Sequence, residues 1–292
     1  MKTAYIFPGQ GSQKIGMLDN FLDSSLTNEL LNQASSALDF DLLELYKYGP
    51  KEKLDLTYNA QPAILTASFI AYKHFKQNNS DTPSYFAGHS LGEYTALLAA
   101  GAFDLATAVK TVKLRGEYMQ SAMPSGGAMA AILGLTPENL LKLILEAKQT
   151  EELCIANYNC PGQIVVSGHE DAVDRLLTKA KGIKLPVSVA LHSPLLAPAQ
   201  ERLAHQLETI SIKDIQVPLI NNIENKALTK AEDIKNSLIK QITQPVLWQS
   251  GIEYMIKNGV EAFYEFGHSK VLCNMLKRTN KEVSCNLINK IN

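Results

Sequence analysis

Residues 88–92 read G-H-S-L-G and stand between a strand-type run and a helix-type run. The apolar residues 85–87 precede this segment, and the Ala/Leu-rich residues 93–100 follow it up to Gly101. Small residues beside a serine allow the sharp strand-to-helix turn that exposes its oxygen above a sheet. The context therefore predicts a nucleophilic Ser90, whereas the five-residue pattern alone also fits an incidental serine in a glycine-flanked turn.

Short apolar runs alternate with amphipathic stretches along the chain, a pattern typical of α/β proteins with a mainly parallel sheet. Strands are predicted at residues 3–7, 85–87, 217–221 and 262–265, and helices at residues 28–38, 93–100, 199–209 and 246–257, with a further helix beginning near Gln61-Pro62. The predicted fold class is α/β, with an α/β-hydrolase-like core around this sheet.

The middle of the chain follows a different order. Strands predicted at residues 129–133, 153–157, 163–167 and 185–191, with helices opening near Thr136 and His169, follow the order βαββαβ. This order is the signature of a ferredoxin-like unit. We expect residues 125–191 to form a small ferredoxin-like subdomain, inserted into a large α/β hydrolase-like domain made of residues 1–124 and 192–292.

The overall composition argues against several classes of partner. The formal net charge of -1 leaves no basic footprint for nucleic acid. No stretch reaches the roughly 18 apolar residues of a membrane span, and Pro8-Gly9 interrupts the first apolar run too early for a signal peptide. We expect a cytoplasmic protein with no nucleic-acid or membrane partner.

The cysteines form neither a CxxC pair nor a zinc-binding spacing. They are Cys154, Cys160, Cys273 and Cys285. In a cytoplasmic protein such residues are expected to be free thiols in packing positions, and no metal site is predicted.

The loop after the first predicted strand, residues 7–13, reads F-P-G-Q-G-S-Q. A serine nucleophile needs one oxyanion-binding amide from the next residue, here Leu91, and another from a separate strand-end loop. The Gln10 amide is the candidate for the second. Gly9-Gln10-Gly11 also begins like a dinucleotide fingerprint, but Lys14 stands where the third glycine belongs. Without the serine motif, an ordinary surface turn would fit this loop equally well.

His192 follows the predicted strand 185–191, and a histidine at a strand end is a candidate general base. The side chain of His89, next to the nucleophile on the turn, should point elsewhere and support the pocket. The remaining histidines fit surface or cap positions: His74, His169, His205 and His268. No Asp or Glu stands in a convincing strand-end loop, so the acid of a catalytic triad is missing.

Arg115 shares one helical stripe with apolar residues, at spacings of 4, 3 and 4 through Ala108, Val112, Arg115 and Met119. An arginine on an inward stripe needs a partner, because an unpaired buried charge is costly. An internal salt bridge, or a side chain that reaches out to water, fits this pattern as well as a substrate carboxylate does.

Residues 7–13 together with G-H-S-L-G-E-Y at residues 88–94 resemble the malonyl-CoA:acyl carrier protein acyltransferase family. This family includes the fatty-acid-synthesis transacylases and the free-standing, trans-acting acyltransferases of polyketide synthases. The resemblance extends over nearly the whole chain and includes Gln61-Pro62-Ala63, N-C-P-G-Q at residues 159–163, L-H-S-P around His192, P-V-L-W ending at Trp248 and G-H-S-K-V-L from Gly267.

The resemblance implies a dyad of Ser90 and His192, in which a backbone carbonyl holds the second imidazole nitrogen. The matching residue for that carbonyl is Gln241, which also fits a plain polar residue at a helix end. The resemblance further implies that Arg115 pairs bidentately with the free carboxylate of the malonyl group. Gln61 and Asn159 match positions near the family's active site, as polar pocket lining or as structural amides.

The chain departs from the family pattern at three positions. Ala60 replaces a frequent Thr. Leu191 stands where malonyl-selective members often carry Phe or Ser, which leaves the width of the acyl pocket open. Residues 267–270 read G-H-S-K, which resembles the free-standing polyketide enzymes more than the fatty-acid-synthesis members.

These features predict transfer of a malonyl group from malonyl-CoA to the phosphopantetheine thiol of an acyl carrier protein. The expected mechanism is ping-pong through an acyl-serine, with no cofactor besides the coenzyme A thioester that is the substrate. The expected process is fatty acid synthesis or polyketide synthesis, and the G-H-S-K segment favours the latter, with the protein as a discrete trans-acting acyltransferase. An editing acyl hydrolase acting on carrier proteins, and a non-catalytic carrier-protein docking module, are the two alternatives.

Overall fold

The computed structural model describes residues 1–291 of the protein. The β-strands of this part are β1 (Lys2–Phe7), β2 (Tyr85–Gly88), β3 (Gly127–Leu133), β4 (Leu153–Cys160), β5 (Gln163–His169), β6 (Gly182–Lys184), β7 (Leu219–Ile220), β8 (Ala227–Leu228), β9 (Val260–Phe266) and β10 (Ser284–Ile288). The α-helices are α1 (Ser25–Leu38), α2 (Leu42–Tyr48), α3 (Lys51–Asp55), α4 (Thr57–Asn78), α5 (Leu91–Ala99), α6 (Leu105–Ala122), α7 (Pro137–Lys148), α8 (Glu170–Leu177), α9 (Ala197–Glu208), α10 (Ala231–Gln241), α11 (Trp248–Lys257) and α12 (Val271–Thr279). No helix within residues 1–291 has both the length and the apolarity that crossing a membrane requires.

The large sheet has the strand order β10-β9-β1-β2-β7-β8, and only β7 and β8 pair in antiparallel fashion. Successive side chains of a strand face opposite sides. Tyr5 and Phe7 therefore join the core formed with α1, α4, α5 and α6, whereas Ala4 and Ile6 join the core formed with α11 and α12. Helices cover both faces, as a parallel sheet requires. The predicted α/β class with a mainly parallel sheet is confirmed.

The register between β1 and β2 brings two loops together. Phe7 pairs with Gly88, so both strands end at the same edge of the sheet. The His89 amide also donates a hydrogen bond of 3.0 Å to the Phe7 carbonyl. The loop that begins at Pro8 and the turn that carries Ser90 are therefore neighbours, although they are distant in sequence.

The second sheet is antiparallel, with the order β4-β5-β3-β6. Helices α7 and α8 pack on one face around their own apolar core, which includes Leu140, Ile144, Val173 and Leu176. This order and these helices confirm the predicted ferredoxin-like unit. We propose residues 125–191 as its limits, because all four strands lie between them.

The predicted strand 185–191 is wrong. The last strand of this unit is β6, which ends at Lys184. Pro186 has no N–H to donate, and the Val187 N–H donates locally to the Leu185 carbonyl at 2.8 Å. The hydrogen-bond ladder between β6 and β3 therefore stops here. His192 consequently lies on an irregular segment with a φ of 57°, and not directly at a strand end.

Helix α4 begins before the predicted start at Gln61-Pro62. The amides of Asn59 and Ala60 both donate to the Leu56 carbonyl at 2.8 Å and close a first turn there. Pro62 therefore lies inside the helix.

The expectation of four free thiols is wrong for one pair. Cys273 on α12 and Cys285 on β10 form a disulfide with a Cα–Cα distance of 5.4 Å. They meet because the chain turns back after α12 and lays β10 beside β9. Their spacing in sequence carries no recognised disulfide pattern. Cys154 and Cys160 are free, as predicted.

Replacement of Gly116 by alanine is expected to destabilise the protein, because α4 and α6 approach closely at this residue. A Cβ atom here would lie 2.6 Å from the Tyr58 Cα and 2.8 Å from its amide nitrogen. We expect Gly116→Ala to lower the free energy of unfolding in urea by about 1–3 kcal/mol, more than the roughly 0.5–1 kcal/mol that alanine contributes in a helix. Lys110→Ala, at an exposed position of α6, should change it by less than about 0.5 kcal/mol. Equal or higher stability of Gly116→Ala would contradict this account.

Candidate active site

Ser90 lies on a strained turn between β2 and α5. Its φ of 51° and ψ of −106° are values that a residue with a side chain rarely adopts. Glycine is required on both sides, because a Cβ at Gly92 would lie 2.0 Å from the Phe7 carbonyl oxygen and one at Gly88 would lie 2.0 Å from the Gly92 backbone. The turn leaves the Ser90 hydroxyl at the wall of a cavity.

The structure brings Ser90 and His192 together. The Ser90 Oγ lies 2.7 Å from Nε2 of His192, and Nδ1 of the same ring lies 2.8 Å from the backbone carbonyl oxygen of Gln241. A carbonyl only accepts, so Nδ1 carries the proton and Nε2 presents its lone pair to the serine. The Gln241 carbonyl thus occupies the place that an aspartate takes in a triad.

The surroundings of His192 keep it neutral. Burial, followed by the positive charge of Arg115, lowers the pKa of His192 to about 3. The hydrogen bond to Gln241 opposes this shift but does not overcome it. An unprotonated imidazole is the form that can accept the Ser90 proton.

Two backbone amides are candidates for stabilising an oxyanion. Leu91 is the first residue of α5, so its N–H has no partner inside the helix and benefits from the helix dipole. Gln10 lies on the loop after β1, lines the same cavity as Ser90, and is held by the close packing of Gly9 against the His89 backbone. These positions fit the roles proposed for both amides.

Arg115 reaches the nucleophile from α6, and only 1% of its surface is exposed. Its Nη1 donates to Gln61 Oε1 at 2.8 Å, and its Nη2 donates to Gln241 Oε1 at 3.0 Å and to Ser90 Oγ at 3.2 Å. The guanidinium forms no salt bridge within residues 1–291. The two alternatives for Arg115, an internal salt bridge and a side chain that reaches out to water, are therefore not what the structure shows.

A cavity of about 400 Å³ opens beside the dyad, between the loops of the large sheet and the second sheet. Its apolar lining includes Met129, Val165, Leu185, Val187, Leu191 and Met275, and its polar lining includes Gln10, His89 and Asn159. A mostly apolar cavity with a few converging polar groups is typical of a small-molecule site.

The predicted supporting residues divide into two groups. Leu191 and Asn159 line the cavity, and Asn159 Oδ1 lies 2.9 Å from His89 Nε2, so this ring nitrogen is held by an amide. Burial also lowers the pKa of His89. Gln61 does not line the cavity: it is fully buried, and its Oε1 accepts a hydrogen bond from Arg115 Nη1.

Sequence reasoning missed Asn222, which holds the nucleophile's backbone. Its Oδ1 accepts from the Ser90 amide and its Nδ2 donates to the Gly88 carbonyl, both at 2.7 Å. The available signal was its position just after the predicted strand 217–221, since polar residues at strand ends of a parallel sheet converge on the site.

Comparison with known proteins finds relatives over nearly the whole chain. The family model described as acyl transferase domain matches residues 4–291. A malonyl CoA-acyl carrier protein transacylase of Escherichia coli K12 is 42% identical, covering 98% of this chain and 95% of the relative. The solved transacylase of the same name from Coxiella burnetii has a TM-score of 0.97 and 40% identity, covering 99% of this chain and 94% of that one. A solved complex of a type II PKS acyl-carrier protein with its malonyl-transacylase has a TM-score of 0.96 and 37% identity, with coverages of 99% and 96%.

The match thus spans both sheets, and it includes the turn of Ser90, the segment of His192 and the helix of Arg115. This chain belongs to the acyl transferase domain family.

Proposed function

We propose that this protein transfers a malonyl group from malonyl-CoA to the phosphopantetheine thiol of an acyl carrier protein. The observation that carries the proposal is the position of the Arg115 guanidinium. This group is buried, has no carboxylate partner within residues 1–291, and lies 3.2 Å from the Ser90 nucleophile. The names of the E. coli and C. burnetii relatives, malonyl CoA-acyl carrier protein transacylase, support both the donor and the acceptor.

The first half-reaction loads the serine. His192 Nε2 takes the Ser90 proton while Oγ attacks the thioester carbonyl of malonyl-CoA. The Gln10 and Leu91 amides stabilise the oxyanion. The tetrahedral intermediate then expels the coenzyme A thiolate, which leaves as the thiol with the proton from His192. Malonyl-Ser90 remains.

The second half-reaction unloads it. The carrier protein's pantetheine thiol gives its proton to His192 and attacks the ester carbonyl, and Ser90 leaves with that proton. The product is a malonyl thioester of the carrier protein, and the free serine is restored. The scheme uses no metal or redox cofactor.

Recognition of the free carboxylate is assigned to Arg115. Gln61 and Gln241 hold its guanidinium by neutral amide oxygens, so its positive charge is not cancelled by direct contact with an internal carboxylate. A malonyl carboxylate near Ser90 would meet charge-assisted donors, whereas an acetyl group would leave them unpaired. An editing hydrolase has less use for such a clamp, and a docking module has no use for the Ser90–His192 pair, so neither alternative is favoured.

Fatty acid synthesis is the process that we propose for the malonyl product. The solved complex with a type II PKS acyl-carrier protein supports polyketide synthesis as the second candidate. The G-H-S-K segment at residues 267–270 offers no mechanistic reason to prefer the latter. A cytoplasmic location is part of the proposal.

Removal of the nucleophile tests the covalent scheme. Wild-type protein mixed with malonyl-CoA should carry one malonyl group on Ser90, as seen by intact-mass and peptide mass spectrometry. Ser90→Ala should carry none, and its transfer rate should fall by a factor on the order of 10⁴ or more. Ser193→Ala, at the buried serine beside His192 whose hydroxyl donates to the Ala190 carbonyl, should still be acylated. Malonyl on any other residue would contradict the scheme.

Removal of the guanidinium tests substrate selection. Arg115→Ala should lower kcat/KM for malonyl-CoA by about 10²-fold or more, because the substrate carboxylate loses a charged, two-point partner. Acylation by acetyl-CoA should be unchanged or faster. Arg202→Ala, which removes an exposed arginine, should affect neither substrate. Equal loss on all acyl-CoAs would refute the assignment.

The low pKa of His192 predicts an unusual pH profile. A group whose folded pKa lies far below its ordinary value stays unprotonated until strongly acidic pH, so the rate of Ser90 labelling by a neutral fluorophosphonate should stay flat from pH 8 to about pH 5. Arg115→Ala removes a positive charge that depresses this pKa and should move the acidic limb upward. A wild-type rate that halves near pH 6.5 would contradict the prediction.

A further inference from the structure

Glu93 is a fully buried carboxyl group that the mechanism does not use. It lies in the first turn of α5, one turn after the nucleophile. Its Oε2 accepts hydrogen bonds from Gln241 Nε2 at 2.8 Å and from the backbone N–H of Asn222 at 3.1 Å. Both partners belong to the site: Gln241 contacts His192 and Arg115, and Asn222 contacts Ser90.

The Gln241 side-chain amide lies between the Glu93 carboxylate and the Arg115 guanidinium and forms a hydrogen bond with each. Its Nε2 faces Glu93 and its Oε1 accepts from Arg115 Nη2 at 3.0 Å. An ionised carboxylate only accepts hydrogen bonds and a guanidinium only donates them. Gln241 Nε2 also donates to the Ser90 carbonyl oxygen at 3.1 Å, and its contact with the Glu93 carboxylate is the shorter of the two. Glu93 and Arg115 together favour one orientation of the Gln241 amide, since the flipped amide would set oxygen against oxygen and N–H against N–H.

We propose that Glu93 is a positioning residue that fixes the orientation of the Gln241 amide and thereby aims the Arg115 guanidinium at the substrate carboxylate. The inference rests on the function proposed above. Glu93 touches neither the reacting atoms nor the guanidinium; it acts through Gln241. Among residues 1–291, Gln61 and Gln241 hold the Arg115 guanidinium besides Ser90, and of these two Gln241 alone also holds the base, through its backbone carbonyl.

The charge state of Glu93 suits this role at mildly alkaline pH. Burial raises the pKa of Glu93 to about 7, although hydrogen bonds from Gln241 and Asn222 and the charge of Arg115 oppose the shift. The other oxygen, Oε1, is buried without a hydrogen-bond partner within residues 1–291. Assays at about pH 8 keep the carboxylate largely ionised.

Loss of the Glu93 contact with Asn222 would affect catalysis differently from loss of its contact with Gln241. The Asn222 side chain bridges the Ser90 amide and the Gly88 carbonyl, so displacement of Asn222 would disturb the nucleophile for every substrate. A turn of the Gln241 side-chain amide would leave the backbone carbonyl on His192 and would disturb Arg115, which matters for a substrate with a free carboxylate. A comparison of malonyl-CoA with acetyl-CoA separates these effects.

The test is the isosteric variant Glu93→Gln, whose amide no longer dictates the orientation of Gln241. We expect kcat/KM for Ser90 acylation by malonyl-CoA to fall by about 10- to 100-fold, the usual range for loss of a charged hydrogen bond. The loss should appear mainly in KM, and acetyl-CoA acylation should change by less than about 3-fold. Glu261→Gln makes the same chemical change at an exposed position and should alter neither value.

A double-mutant comparison makes the test specific. In an Arg115→Ala background, Glu93→Gln should cause no further loss with malonyl-CoA, because the group that it aims is absent. An equal loss on both acyl-CoAs, an unchanged malonyl-to-acetyl ratio, or additive losses in the double variant would overturn the proposal.

A second variant decides the matter if Glu93→Gln does not fold, as judged by circular dichroism. Gln241→Met keeps the carboxylate and the backbone carbonyl but removes the relaying amide, and it should show the same selective loss. An unchanged ratio in this variant would overturn the proposal. Failure of the proposed function itself would look different, because wild-type protein would then form no malonyl-Ser90 at all.

Discussion

A single buried glutamine joins the parts of this site. The backbone carbonyl of Gln241 holds Nδ1 of His192, and its side-chain oxygen holds the guanidinium of Arg115. The base and the carboxylate-binding group are therefore positioned by one residue at the end of α10. A shift of its backbone would change proton transfer and substrate recognition together, which makes it the residue on which the rest of the site depends.

The site concentrates polar and strained groups in the interior, where they are costly unless paired. Arg115 is buried without a salt bridge within residues 1–291, and two neutral amides satisfy part of its donors. Ser90 holds an unfavourable backbone conformation that Asn222 and the neighbouring glycines stabilise. This arrangement keeps a charge free of direct internal pairing, and it keeps the nucleophile at the wall of the cavity.

Several elements could be predicted because their signals are local. The turn around Ser90 was predictable from small residues between a strand pattern and a helix pattern, and the ferredoxin-like unit from the order of its strands and helices. The strand at residues 185–191 failed because an apolar run looks the same whether or not its amides find partners, and Pro186 ends the ladder here. The expectation that Cys273 and Cys285 are free thiols was wrong for a related reason: their pairing depends on where β10 lies in the sheet.

The sequence by itself determined the fold class, the identity of the nucleophile and the candidates for base, oxyanion amides and carboxylate partner. The turn, loop and strand-end candidates depend on residue types at short spacings. The role of Arg115 as carboxylate partner came from the resemblance to the family, since its helical stripe also fits an internal salt bridge. Only the tertiary structure decided which groups meet: that a backbone carbonyl replaces the missing acid, that Gln61 supports Arg115 and does not line the pocket, and that Asn222 and Glu93 belong to the network. Hydrogen bonds between residues more than a hundred positions apart, such as Ser90 with His192 or Asn222, depend on how strands and helices pack, and no local pattern encodes that packing.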